Sequence, residues 1–184
     1  MNRLASPAQL RASLIRWLLF LVPLVMLLGF LSSQFGSANT PWFAALAKPA
    51  TFPPPATFGI VWTVLYVMMG AALAMVCAAW GSRGRGLAIV AFVVQFALNL
   101  AWSPTFFGAH QIANALWLLV ALDVTLLLTV VLFVRVRKWA GVLLLPYLAW
   151  VLFATLLNWQ FLQLNPDAAE FHESGAVQTI QLGS

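Results

Sequence analysis

Charge is what this chain has least of. Of its 184 residues only 7% are Asp, Glu, Lys or Arg, and just four are acidic, whereas about a quarter of a soluble domain is charged. That excludes an ordinary water-soluble globule. Cysteine is almost absent as well: Cys77 is alone, so no internal disulfide can form, no thiol pair can found a metal site, and the residue reads as a small packing group. The two histidines stand far apart, and His172 has no candidate ligand beside it. No nucleophile elbow, Walker-type glycine loop or His/Cys cluster is present. The basic residues form no stripe of the kind that tracks a phosphate backbone, so nucleic acid is not an expected partner despite the net charge of +5.

What is present is apolar sequence in long blocks, 63% of the chain being hydrophobic. A membrane-crossing helix needs about twenty apolar residues. The blocks predict helices over about 14–35, 58–80, 87–107, 112–134 and 139–164, with a connector at 36–57 and a polar tail at 166–184. The fold class expected is therefore an all-α membrane protein, a five-helix bundle over 1–165 in contact with the lipid bilayer. The first block leaves two readings open: a signal peptide, with basic start, apolar middle and the small-x-small site Gly36-Ser37-Ala38, or a transmembrane helix that tolerates Pro23. The tail lacks helical periodicity and is expected to be disordered in solvent.

The connector is unlike ordinary loops. Trp42-Phe43, Lys48-Pro49 and Pro53-Pro54-Pro55 put rings and prolines where the chain should be polar, and such rings gain by burial. The segment is expected to form a structured lid on the mouth of the bundle.

Within the blocks, spacings of three and four align side chains. Gln95, Asn99, Trp102 and Phe106 share one face, Trp150, Ala154 and Asn158 another, and Trp62 and Tyr66 a third. Amides on such stripes avoid lipid and point into the bundle. Asp123 is the one acidic residue inside a span, and it is expected to turn inward, hydrogen-bonded or protonated, because a carboxylate at that depth costs about 2.5–3.5 kcal/mol. Gly70, Ala74 and Ala78 make a flat face that serves close helix packing or, alternatively, a partner protein. Trp17, Trp80 and Trp139 sit at span ends, where Trp anchors the membrane interface.

Arg3, Arg11, Arg16, Arg83, Arg85, Arg135, Arg137 and Lys138 fall on one side of a five-span bundle and only Lys48 on the other. The positive-inside rule then puts the amino terminus in the cytoplasm and the lid and carboxyl terminus outside. A bacterial cytoplasmic (inner) membrane is the expected location.

From Trp42 to Asn165 the chain resembles the TspO/MBR family of tryptophan-rich sensory proteins and translocator proteins, also known as peripheral benzodiazepine receptors. The resemblance rests on Trp42-Phe43 with Leu46-x-Lys48-Pro49, Pro53-Pro54 with Phe58-Gly59, Val61-Trp62-Thr63-x-Leu65-Tyr66 and Met69-Gly70. It continues in Asn99-Leu100-Ala101-Trp102-Ser103, Phe106-Phe107, Ala121-Leu122-Asp123, Ala140-Gly141, Leu145-Pro146-Tyr147-Leu148-Ala149-Trp150 and Ala154-Thr155-x-Leu157-Asn158. It implies five retained helices, a possible homodimer, and a pocket for porphyrin or haem-type tetrapyrroles inside the bundle under the first loop, with no obligatory cofactor. It also implies that some relatives take part in light-dependent porphyrin breakdown. Three departures stand out: Ala56 where the family often has Trp, Phe43 where Tyr is usual, and Asn158 to Gln163 in place of a cholesterol pattern that needs Tyr followed by Lys or Arg, which argues against cholesterol as a ligand.

The ligand-binding set expected from stripes and resemblance together is Trp42, Phe43, Lys48, Trp62, Tyr66, Gln95, Asn99, Trp102, Phe106, Asp123, Trp150, Ala154, Asn158 and Trp159. Rings would cover the face of a flat macrocycle and amides would orient it, with Lys48 or lid amides meeting its carboxylates. No residue set matches a conventional acid-base enzyme. If porphyrin conversion occurs, the excited pigment and oxygen would supply the reactivity, with Trp62 or Trp159 as electron donor. The leading reading is a tetrapyrrole sensor, carrier or scavenger; the alternatives are photo-oxidative porphyrin degradation and a non-catalytic helical partner.

Overall fold

The computed structural model describes residues 6–36 and 38–168. Its elements, in order, are α1 (Pro7–Gln34), α2 (Pro41–Ala45), α3 (Pro55–Cys77), α4 (Arg85–Ser103) running into a π-helical turn (Pro104–Gly108), α5 (Ile112–Val136), α6 (Lys138–Leu143) and α7 (Leu145–Leu164). No strand occurs among the described residues. Five spans, with α6 and α7 forming the fifth, are long and apolar enough to cross a membrane. The protein is an all-α, multi-pass bundle. Arg3, His172 and most of the polar tail lie outside the described residues, and so does the disorder expected of that tail.

Proline sets most of the helix starts. Pro7 and Pro41 occupy first turns, where the missing N–H leaves no bond unmade. In front of Pro7, Ser6 and Gln9 form a reciprocal capping box, with Ser6 N–H donating to Gln9 Oε1 at 2.8 Å. The first helix thus begins seven residues before the expected position near 14, which corrects that boundary. The second span likewise starts at Pro55, inside the proline triplet, and stops at Cys77 rather than Trp80. Gly81 and Gly84 take left-handed φ values of 78° and 79° to turn the chain into α4. At the far end of α4, Pro104 cannot donate into the helical ladder, and the chain widens into a π-turn closed by Ala109 N–H to Pro104 O at 2.8 Å.

Between membrane helices there is little hydrophobic drive, so close packing and hydrogen bonds hold the bundle together. A Cβ on Gly70 would stand 2.7 Å from Val22 Cα, which shows how tightly α3 lies on α1. Gly141 meets Val134 in the same manner where α6 crosses α5. Gly70, Ala74 and Ala78 are all buried inside the chain's own bundle. The face serves close helix packing within the chain, the first of the two uses expected of it. Because α1 supplies buried Leu21, Val25 and Gly29, it is a working part of the bundle.

Candidate ligand chamber

Toward the loop end the spans part and enclose a cavity of about 880 Å³. Its walls come from α1, α3, α4 and α7, and its roof from Phe43 and Phe52 of the connector. The three stripes supply much of the wall. Trp62 and Tyr66 stack with ring centroids 5.3 Å apart, as do Trp102 and Phe106 at the same separation. Trp150 closes the side next to Phe58 at 5.7 Å, edge to face.

Polar groups are few, and most are already engaged. Tyr66 Oη donates to Asn99 Oδ1 at 3.3 Å. Trp102 Nε1 donates to Asn158 Oδ1 at 3.1 Å, while Asn158 Nδ2 donates to the carbonyl of Ile112 at 2.9 Å. Asn158 thus ties α7 to α5 and fixes the plane of the Trp102 ring. Trp150 differs: its indole N–H is buried without any acceptor. An unpaired donor in so apolar a place is costly, and Trp150 lines the cavity. The chamber therefore offers large ring faces and few polar groups, the Trp150 N–H being buried away from its open space.

The roof is held by a clasp that the sequence reading did not single out. Asn165, just past the end of α7, accepts from Ala47 N–H at 2.8 Å and donates from Nδ2 to Ala47 O at 3.0 Å and Phe161 O at 2.9 Å. Trp42 Nε1 donates to Ala168 O at 3.2 Å, and the Trp42 ring lies 4.2 Å from that of His110. Phe43 reaches Phe106, Phe107 and Phe161 with centroids 5.2–6.4 Å apart. The connector is packed onto the bundle as a lid. An Asn between the last turn of a helix and a Pro is the one sequence signal that could have pointed to the clasp.

Of the fourteen expected residues, nine border the cavity: Phe43, Trp62, Tyr66, Asn99, Trp102, Phe106, Trp150, Ala154 and Asn158. The other five do not, each for a physical reason. Trp42 is buried beside Phe106 and His110, its indole N–H donating to Ala168 O, and does not border the cavity. Lys48 turns back on its own loop, Nζ donating to the carbonyls of Phe43 at 3.2 Å and Ala44 at 3.4 Å and lying 5.1 Å above the Phe43 ring. Gln95 is fully buried and accepts from Tyr147 Oη at 3.0 Å, away from the cavity wall. Asp123 is half-buried between α5 and α7, where Thr155 Oγ1 donates to it at 2.8 Å; it is inward and hydrogen-bonded, yet it faces a helix seam. Trp159 is 49% exposed on the outer surface of α7, one residue beyond the stripe that carries Trp150 and Asn158.

Several wall residues were not foreseen, among them Phe52, Phe58, Phe107 and the α1 residues Met26, Phe30 and Ser33. Through the apolar run Trp17 to Leu31 of α1, no periodicity separates a chamber face from a lipid face. Among the described residues no group of His, Cys, Asp and Glu could hold a metal ion.

A family model described as "TspO/MBR family" matches residues 20–164. The chain is 42% identical over 147 residues to the tryptophan-rich protein TspO of Chlorobaculum tepidum, covering 79% of this chain and 93% of that one. It is 36% identical over 129 residues to the tryptophan-rich sensory protein of Cereibacter sphaeroides, covering 70% and 80% respectively. Against the translocator protein of Sus scrofa it is 39% identical over 134 residues, covering 71% and 79%. With a bundle of five apolar spans and a match over most of its length, the chain belongs to the TspO/MBR family of membrane proteins.

Proposed function

We propose that the chamber binds a flat, mostly apolar tetrapyrrole of the porphyrin or haem type, and that the protein serves as a membrane sensor, carrier or scavenger of that pigment. The observation that carries this reading is the chamber itself: about 880 Å³ walled by Trp, Tyr and Phe rings, with the amides of Asn99 and Asn158 among them. Small-molecule pockets span about 300–1,000 Å³ and pair apolar walls with a few orienting polar groups. Rings on the walls would lie against the macrocycle, and the Asn99 and Asn158 amides would face its polar rim. The names of two relatives, "tryptophan-rich sensory protein" and "translocator protein", fit a role in signalling or moving a ligand.

Lys48 enters this reading less than the sequence suggested, because its ammonium is engaged by loop carbonyls. The ligand is held mainly by ring contact and neutral hydrogen bonds. Nothing in the chamber supplies an acid-base pair. The gathering of the described basic residues other than Lys48 at the end away from the lid supports, under the positive-inside rule, a lid on the outer face of a bacterial cytoplasmic membrane.

Titration of the purified protein in nanodiscs with protoporphyrin IX, followed by tryptophan quenching, tests the proposal. Saturable quenching, weakened when Trp62, Trp102 and Trp150 are all replaced by Phe, is expected. Quenching that is non-saturable, or unchanged in the triple variant, overturns it.

A further inference from the structure

We propose that the ligand enters and leaves the chamber sideways, from the bilayer, through a slit between the end of α1 and the start of α3. This rests on the tetrapyrrole reading above. A closed chamber has buried walls, yet here Phe30 is 61% exposed, and Gly59 and Thr63 are exposed too, while all three border the cavity. Wall residues exposed to this degree mark a place where the wall is open. Gly59 borders open space, for an added Cβ would meet nothing within 4 Å.

The sequence explains why the two helices part there. They cross at Gly70, against Val22, and at Gly29, which lies against the ring of Tyr66. Beyond Gly29, α1 is drawn to α4 instead. Ser32 Oγ donates to Leu100 O at 2.6 Å, and Ser103 Oγ donates to Gly36 O at 3.2 Å. Gly108 tightens the same seam, since a Cβ on it would stand 2.7 Å from Phe35 O. With α1 bound to α4, its other flank separates from the first turns of α3. The slit lies within two spans, so it opens onto lipid, where an apolar macrocycle is already dissolved. The lid, by contrast, is fastened by Asn165 at both polar groups of Ala47, so passage through the roof would break that clasp.

The test uses the full chain in nanodiscs, mixed rapidly with vesicles that carry protoporphyrin IX, with tryptophan quenching followed in time. Gly59→Trp places an indole in the slit where the backbone leaves room, and Ser33→Trp plugs it from the α1 side. Both variants are expected to slow association and release together by about tenfold, each rate being read directly because the two positions also border the cavity. Asn165→Ala loosens the roof and is expected to exchange ligand at the wild-type rate. Wild-type rates in both tryptophan variants overturn the proposal, as does faster exchange in Asn165→Ala, which would locate the path at the lid. Faster release from both tryptophan variants also overturns it, since the indoles would then displace the ligand from the binding space rather than block its path. Failure of the tetrapyrrole reading has a different signature, because the wild type itself would show no saturable quenching, and then both proposals fall.

Discussion

The two ends of this bundle are made of nearly the same kinds of residue and behave in opposite ways. Away from the lid, Ala72, Ala74, Ala88 and Ala140 are fully buried, and Phe92 stacks between Phe96 and Phe133 at 5.7 and 5.9 Å. Toward the lid, Trp62, Trp102, Phe106 and Trp150 stand around a cavity. Hydrophobicity does not distinguish the ends. Side-chain size does: Gly and Ala let helix backbones touch in one half, while large rings prop the helices apart in the other and leave space that matches a ring-shaped guest. Membrane helices associate by packing and hydrogen bonds, so where packing is incomplete the structure must be held by specific polar ties. Asn158, Tyr66 and Asn165 provide them.

The sharpest way to break this contrast is to make one substitution in both halves. Gly70→Leu drives a side chain into the backbone at Val22, and overpacking of this kind costs about 1–3 kcal/mol. Gly59→Leu meets only open space and should leave stability unchanged. Thermal unfolding of the two variants in the same detergent checks the pair; equal midpoints would remove the distinction between a closed end and an open end.

Asn158→Leu has the next largest expected effect. It deletes the tie to Ile112 and strips Trp102 Nε1 of its acceptor. Interhelical hydrogen bonds in membranes average about 0.6 kcal/mol, so the two together predict a loss of about 1 kcal/mol. Porphyrin affinity should fall as well, because the Trp102 plane is no longer fixed. Unfolding and quenching titrations read the two effects separately.

Trp150→Phe is designed to leave the packing alone and remove one donor. The N–H makes no hydrogen bond within the protein, so stability should hold or rise slightly. If the donor serves the ligand, affinity drops by about fivefold to tenfold, the worth of one hydrogen bond. An unchanged Kd would assign Trp150 to ring contact alone.

How far the sequence revealed this arrangement depends on what each signal measures. The number of spans was legible because apolar length is a property of each segment by itself, as in Ile112–Val136, whose expected end at 134 differs by two residues. Helix starts were less legible: a proline reads as a breaker until the first turn shows it at N1, as at Pro55. The chamber-facing stripes could be found because Asn99, Trp102 and Asn158 mark an inner face by polarity. Gln95 and Asp123 carry the same mark and face Tyr147 and Thr155 instead. A polar residue in a span announces that it needs a partner, and only the packing decides whether that partner is a ligand or another helix. The α1 wall has no polar mark of that kind at Met26 and Phe30, and the Asn165 clasp depends on contacts over more than a hundred residues.

Lys48 gives the smallest expected effect and the finest test of how the two ends are built. As the only described cation at the lid end, it is the obvious counter-ion for an anionic ligand. Its Nζ nevertheless donates to the carbonyls of Phe43, Ala44 and Leu46, at the end of α2, and rests over the Phe43 ring. To reach a carboxylate it would have to leave those carbonyls, and the exchange returns little at an exposed position where water screens the charge. Lys48→Ala should therefore change protoporphyrin affinity by about twofold or less, with no added salt dependence relative to the wild type. A large loss of affinity that high salt reproduces in the wild type would show the ammonium turned toward the ligand, and the lid end would then be a site that selects by charge rather than by shape.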